Sequence, residues 1–153
     1  MSDTVYVGYD PEDTDQVVFP AQAHPTDAGY DVTVLRVHKQ INKRTALYDT
    51  GLYLRPHDED LYFDLVARSS LFTKGYMVAN NVGVIDNGYR GKVMVALYKY
   101  DDEAPDLDLP ARVAQLIPRR MVKVDMVDDA EHVRKKSKRG PETPRGEGGF
   151  GST

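Results

Sequence analysis

The sequence predicts an all-β protein of jelly-roll type, a barrel or sandwich with at most one short helix. Three observations carry this expectation. Short apolar runs rich in Val, Tyr, Leu and Ile recur along most of the chain. Gly, Pro, Asn and Asp punctuate them. Helical periodicity is nearly absent.

Seven runs read as strands: Val17–Phe19, Tyr30–Val37, Ala46–Leu54, Leu61–Ala67, Tyr76–Val84, Lys92–Tyr100 and Arg112–Pro118. Tyr30–Val37 and Lys92–Leu97 alternate with period two, as half-buried antiparallel strands do. The first fifteen residues show turn and charge signals but little periodicity. One short helical stretch is expected at Ser70–Lys74, stopped by Gly75. Asp86-Asn87-Gly88-Tyr89 carries the strongest turn signal. Because Asn-Gly suits a type I′ turn, a hairpin is expected with its tip at Asn87-Gly88, joining Val82–Ile85 to Lys92–Leu97.

At 153 residues the chain suits one core. Residues 1–127 read as a β domain. From Asp128 the composition turns charged and poor in apolar residues, so 128–153 reads as a linker followed by a Gly-rich arm. With no cysteine, thiolate catalysis and Cys-based zinc sites are excluded. His24, His38, His57 and His132 never show the i, i+4 spacing of a helical zinc site. No apolar run approaches the ~20 residues of a membrane span, and the acidic N-terminus is unlike a signal peptide. A net charge of −4 argues against general nucleic-acid binding.

Several residues could do chemistry. Arg68-Ser69-Ser70 joins a guanidinium and two hydroxyls to the start of the helical stretch, a combination suited to phosphate; the plain alternative is a helix cap. Asp86, at the turn, reads either as a carboxylate closing its own backbone turn or as a general base on a rigid loop. Asp31 reads either as a solvated edge carboxylate or as an acceptor for magnesium-bound water. Gln115 lies in an apolar strand and needs partners there. Phe150, alone among glycines, suits stacking on a flat ligand unless the arm is disordered.

Taken in order, five segments resemble the motifs of trimeric dUTPases: Ala28-Gly29-Tyr30-Asp31-Val32, Ala67-Arg68-Ser69-Ser70-Leu71, Asn80 to Gly91, Arg112-Val113-Ala114-Gln115-Leu116 and Arg145 to Thr153. The resemblance implies a β-clip, jelly-roll-like fold and a homotrimer whose active sites are shared between subunits. It implies Mg²⁺-assisted hydrolysis of dUTP to dUMP and pyrophosphate, which keeps uracil out of DNA and supplies dUMP for thymidylate synthesis. By the same resemblance Asp86 activates the attacking water. Asn80, Gly83 and Val84 read uracil, Tyr89 packs on the deoxyribose and Phe150 stacks on the base. Arg68, Ser69, Ser70, Gln115, Arg145, Gly151, Ser152 and Thr153 hold phosphates, and Asp31 meets magnesium through water.

The sequence departs from the family pattern at Val32, where Leu is common, at Phe72, where a small residue is common, and at Asn81-Val82. Two other readings are weighed. A dCTP deaminase of the same superfamily would share the phosphate motifs, but the Asp-Asn-Gly-Tyr turn and the Phe-bearing glycine tail fit a dUTPase better. A regulatory protein on this scaffold would dock partners through the first fifteen residues or the acidic loop 101–106. No membrane or stable nucleic-acid partner is expected. The expected location is cytoplasmic, with the basic run Arg134–Arg139 as a possible nuclear-import signal.

Overall fold

The computed structural model describes residues 3–131, 144–146, 148–149 and 151. The chain divides into two compact units, Met1–Val122 and Lys123–Thr153. Nine strands lie in the first: β1 (Val5–Tyr9), β2 (Tyr30–Val34), β3 (Arg36–Gln40), β4 (Thr45–Pro56), β5 (Leu61–Ala67), β6 (Tyr76–Val78), β7 (Gly83–Ile85), β8 (Lys92–Lys99) and β9 (Ala111–Arg120). They form two antiparallel sheets, β1-β4-β8-β6 with β3 also on β4, and β2-β9-β5-β7. This is the expected jelly-roll-like architecture in its sandwich form.

Alternation places the core between the sheets. Val93, Val95 and Leu97 of β8 and Leu52 of β4 are at most 1% exposed, and so are Val32, Val34, Val113, Ala114 and Leu116 from the facing sheet. Burying each side chain of this size is worth about 1.5–3 kcal/mol. Val32 fills its core position fully. Phe72 points its bulk outward instead, beside a buried Leu71.

Several expected elements differ. Val17–Phe19 forms no strand. The backbone N–H of Val17 donates to the Asp13 carbonyl in a turn that follows the 3-10 turn Pro11–Asp13, and its side chain seats over Gly51. Val5–Tyr9 is a strand that weak periodicity concealed: Val5 and Val7 pack on the core while Tyr6 and Tyr9 are exposed. Tyr30–Val37 is two strands. The chain changes sheets at Leu35, whose N–H donates to the Asp49 carbonyl. Tyr76–Val84 also divides, between β6 and β7, around Asn81 at φ 59°, a left-handed conformation that asparagine tolerates.

The expected hairpin is likewise not formed, because β7 pairs with β5 and β8 pairs with β4 and β6. Asp86–Tyr89 carries the chain from one sheet to the other. The Tyr89 N–H donates to the Asp86 carbonyl at 3.0 Å, so a turn exists. Neither Asn87 nor Gly88 takes positive φ, which excludes type I′. Asn87 instead donates through Nδ2 to the carbonyls of Asp58 (2.7 Å) and Leu61 (2.8 Å), tying the turn to the β4–β5 connection. The helical stretch is a 3-10 turn, Leu71–Lys74, stopped by Gly75 at φ 85°.

A broad bulge interrupts the β4–β8 ladder. Asp49 pairs with Met94 and Tyr53 with Lys92, so Thr50, Gly51 and Leu52 oppose Val93 alone. Gly51 takes φ +74°, and a Cβ there would meet Val17 Cγ1 at 2.9 Å. Thr50 Oγ1 donates to the Val93 carbonyl at 2.7 Å. Beneath the bulge, Asp13 and Asp49 are 3% and 4% exposed. Buried carboxylates need partners. Arg36 bonds both, reaching Asp49 at 3.1 Å, and Lys92 Nζ lies 3.1 Å from Asp10 and 3.5 Å from Asp49. Burial opposes ionisation of Asp49. The Gly51 N–H, Arg36 and Lys92 outweigh it and hold the carboxyl below the usual carboxylate range.

A depressed folded pKa stabilises the protein above the unfolded value and loses that contribution as pH falls through the folded one. Asp49→Asn is therefore expected to cost about 1–3 kcal/mol at pH 7. In urea unfolding, the gap between variant and parent should narrow as pH falls below the ordinary carboxylate value of 3.8. A pH-independent gap would contradict the assignment.

Candidate functional site

Nine of the sequence-predicted residues line two clefts of the first unit. One, of about 180 Å³, is lined by Asn80, Gly83, Val84, Asp86, Tyr89 and Lys92, among others. The other, of about 280 Å³, is lined by Gly29, Asp31, Arg68, Ser69 and Gln115 with Ala23, Asp27 and Ala28. A larger apolar hollow of about 360 Å³, walled by residues such as Val5, Val7, Phe63 and Leu116, holds none of the candidate site residues.

In the first cleft, β7 is an edge strand with a ladder partner on one side only. Its outer backbone donors and acceptors are available to a ligand, as on any open sheet edge. Asn80 Nδ2 lies over Gly83, 3.3 Å from where a Cβ would stand. Asp86 is exposed on the turn that Asn87 ties down. The Tyr89 hydroxyl donates to the Lys92 carbonyl at 2.8 Å. Its ring lies across Gly91, where a Cβ would meet Tyr89 Cζ at 2.7 Å. This cleft joins a polar backbone edge, an aromatic wall and a carboxylate.

The second cleft is built by register. Asp31 pairs with Gln115, which also pairs with Val66, and Arg68 follows β5. Arg68 Nε lies 3.3 Å from Asp31 Oδ1 and Arg112 Nη1 lies 3.8 Å from Oδ2. Gln115 Nε2 donates to the Ala67 carbonyl at 3.1 Å, answering its need for a partner. Its side chain crosses Gly29 so closely that a Cβ there would lie 2.9 Å from Cδ and nearer still to Oε1. Ser70 caps the 3-10 turn by position but makes no side-chain capping bond, so the cap reading does not account for its hydroxyl. Two guanidinium groups against one carboxylate suit an anion. Among the described residues, no group of three or more His, Asp or Glu could hold a metal directly.

The clefts share no lining residue. The first lies along the β7 edge of the β2-β9-β5-β7 sheet and takes in Leu65 of β5, and the second runs from β2 across β9 to the end of β5. Three inter-strand steps of about 4.8 Å separate Gly83 from Tyr30, roughly 14 Å. Arg145 and Gly151 belong to the second unit. There the Arg145 side chain donates to the Gly148 carbonyl at 2.6 Å, and Gly146 and Gly151 take positive φ. Phe150, Ser152, Thr153 and the run Arg134–Arg139 lie outside the described residues.

The dUTPase family profile matches residues 15–153. The chain belongs to the dUTPase family. It is 34% identical over 142 residues to the deoxyuridine 5'-triphosphate nucleotidohydrolase of Arabidopsis thaliana, covering 92% of this chain and 78% of that one. The corresponding protein of Hahella chejuensis is 32% identical over 143 residues, covering 90% and 88%. A solved dUTPase of Staphylococcus bacteriophage 80alpha with dUpNHpp shares the fold at TM-score 0.71 and 21% identity, covering 99% of this chain and 98% of that one. The dUTPase of Streptococcus mutans does so at TM-score 0.67 and 24% identity, covering 78% and 98%. A phage phi11 dUTPase, solved with a structural Mg(II) ion, does so at TM-score 0.64 and 18% identity, covering 85% and 99%.

Three features of these clefts had no signal in the sequence. Asn87 fixes the turn through its side chain, and its Asn-Gly context concealed that. Gly29 makes room for Gln115. Lys92 lines the first cleft and reaches a carboxylate cluster from distant segments, for which no local pattern exists. Gly29→Ala is expected to push Gln115 off the Ala67 carbonyl and cost about 1–3 kcal/mol through overpacking. Urea denaturation measures this, and a neutral substitution would show that the close approach is not needed.

Proposed function

We propose that the chain hydrolyses dUTP to dUMP and pyrophosphate. The observation that carries this reading is the sorting of motif residues into a cleft suited to a nucleoside and a cleft suited to phosphates. Uracil lies along β7, whose open backbone edge and Asn80 match its donors and acceptors. Cytosine would leave buried polar groups mispaired there, and such mismatches discriminate strongly. Tyr89 packs on the deoxyribose and leaves no room for a 2′-hydroxyl. Asp86 accepts a proton from water, and the oxygen of that water bonds to the α-phosphorus. The bond from the α-phosphorus to the bridging oxygen breaks, and pyrophosphate leaves. A carboxylate on a tied turn supplies both position and basicity.

Arg68, Ser69, Ser70 and Gln115 hold phosphate oxygens and orient the water. Mg²⁺ on the triphosphate would neutralise its charge, and Asp31, a carboxylate on the anion cleft, suits hydrogen bonds from metal-bound water. Arg145, Gly151, Ser152 and Thr153 grip the outer phosphates, and Phe150 stacks on the base. The family resemblance supports these last roles. The separation of the two clefts supports a site shared between subunits of a homotrimer, in which one chain's Asp86 faces another's Arg68. In the cell this reaction would remove dUTP before it enters DNA and yield dUMP.

The test is pyrophosphate release with Mg²⁺ across dUTP, dCTP, dTTP and UTP. Release from dUTP well above the others is expected, and ammonia from dCTP would point to a deaminase instead. Asp86→Asn should bind dUTP nearly as tightly and lower kcat by about 10²–10⁴-fold. An unchanged kcat would remove Asp86 from the mechanism.

A further inference from the structure

We infer that Lys92 is a positioning residue for the sugar end of the nucleotide, and that the N-terminal segment Val5–Asp13 belongs to the catalytic unit through it. This rests on the proposed function, because it assumes a nucleoside against Tyr89.

The argument begins at the bulge. Between the Met94 and Lys92 pairings, β8 contributes one residue against three of β4, so the Lys92–Tyr53 pair at its entrance is separated from the rest of the ladder. Two side chains reinforce it there. Thr50 Oγ1 takes the Val93 carbonyl at 2.7 Å. Lys92 extends its ammonium into the carboxylate cluster, 3.1 Å from Asp10, 3.5 Å from Asp49 and 3.9 Å from Asp13. Asp10 is held in turn by the Tyr53 hydroxyl, at 3.2 Å from each carboxylate oxygen. Asp10 and Asp13 follow β1, so the cluster ties the N-terminal strand to the mouth of β8.

The other end of Lys92 faces the cleft. Its backbone carbonyl accepts the Tyr89 hydroxyl at 2.8 Å, which fixes the ring across Gly91. Lys92, Tyr89 and Asp86 line the same cleft. Cluster, Lys92 carbonyl and Tyr89 ring thus form one mechanical line. Withdrawing the ammonium releases the start of β8 and lets the ring move. A wall that moves by an ångström admits a 2′-hydroxyl and holds deoxyribose less well, and misplacement of that size is costly.

The experiment compares kcat and KM for dUTP and UTP in the parent, Lys92→Met, Lys92→Arg, Tyr89→Phe and the double variant Lys92→Met/Tyr89→Phe. Lys92→Met keeps the stem and removes the charge. It should lower the preference for dUTP over UTP in kcat/KM by about tenfold, chiefly through a higher KM for dUTP, and Lys92→Arg should restore most of it. Tyr89→Phe, which keeps the ring and loses the hydroxyl, should do the same. The double variant should be no worse than either single one, since both break the same line. A cluster that only stabilises the fold would lower the melting temperature and leave the preference unchanged. Unchanged preference in a folded Lys92→Met, or single effects that multiply in the double variant, would overturn the inference. If Lys92→Met does not fold, Tyr89→Phe decides: unchanged preference there overturns it as well. A parent that releases no pyrophosphate from dUTP overturns the proposed function and this inference together, whereas an active parent with indifferent variants overturns this inference alone.

Discussion

Gln115 stands opposite Asp31 on one side and opposite Val66 on the other. The site depends on that register. Pairing β9 with both β2 and β5 brings three segments, separated by dozens of residues, into one line across the sheet. Arg68 comes just past the end of β5, beside Asp31. Because side chains alternate with period two, a slip of one residue would turn Gln115 and Asp31 to the opposite face. The buried face prevents the slip, since Val32, Val113, Ala114 and Leu116 are held between the sheets. Core packing thereby sets the geometry of an exposed polar cleft.

The same sheet separates the clefts. β7 at one edge offers backbone groups and Asp86, while β2 at the other offers Asp31. On the proposed reading, a nucleoside triphosphate engages both clefts. In the proposed homotrimer, one chain's Asp86 would face another chain's Arg68.

Much of this was legible in the sequence. β5, β8 and β9 are apolar runs bounded by punctuation, and β8 also alternates. Gly75 was readable as a stop because a left-handed residue was needed there. Of the residues that the family motifs named, Asn80, Gly83, Val84, Asp86 and Tyr89 line one cleft and Asp31, Arg68, Ser69 and Gln115 the other. What stayed hidden depends on distant contacts. Tyr30–Val37 reads as one strand, yet Leu35 changes sheets because its N–H finds the Asp49 carbonyl. Asn87-Gly88 suggested a hairpin, yet β7 and β8 find partners in different sheets. Asp10, Asp13, Asp49, Arg36 and Lys92 come from four places along the chain, and their pairing appears only when the bulge in β4 brings them together.

The central claim, that one chain's Asp86 serves another chain's phosphate cleft, is tested most directly by mixing two inactive variants. Asp86→Asn damages only the first cleft and Arg68→Ala only the second. After denaturation and joint refolding at equal amounts, random assortment should leave about a quarter of the sites with both halves intact. The account therefore predicts dUTP hydrolysis near that fraction of the parent's activity, far above either variant alone. Verified subunit exchange with no recovery would contradict it, because both halves of the site would then have to lie on the same chain.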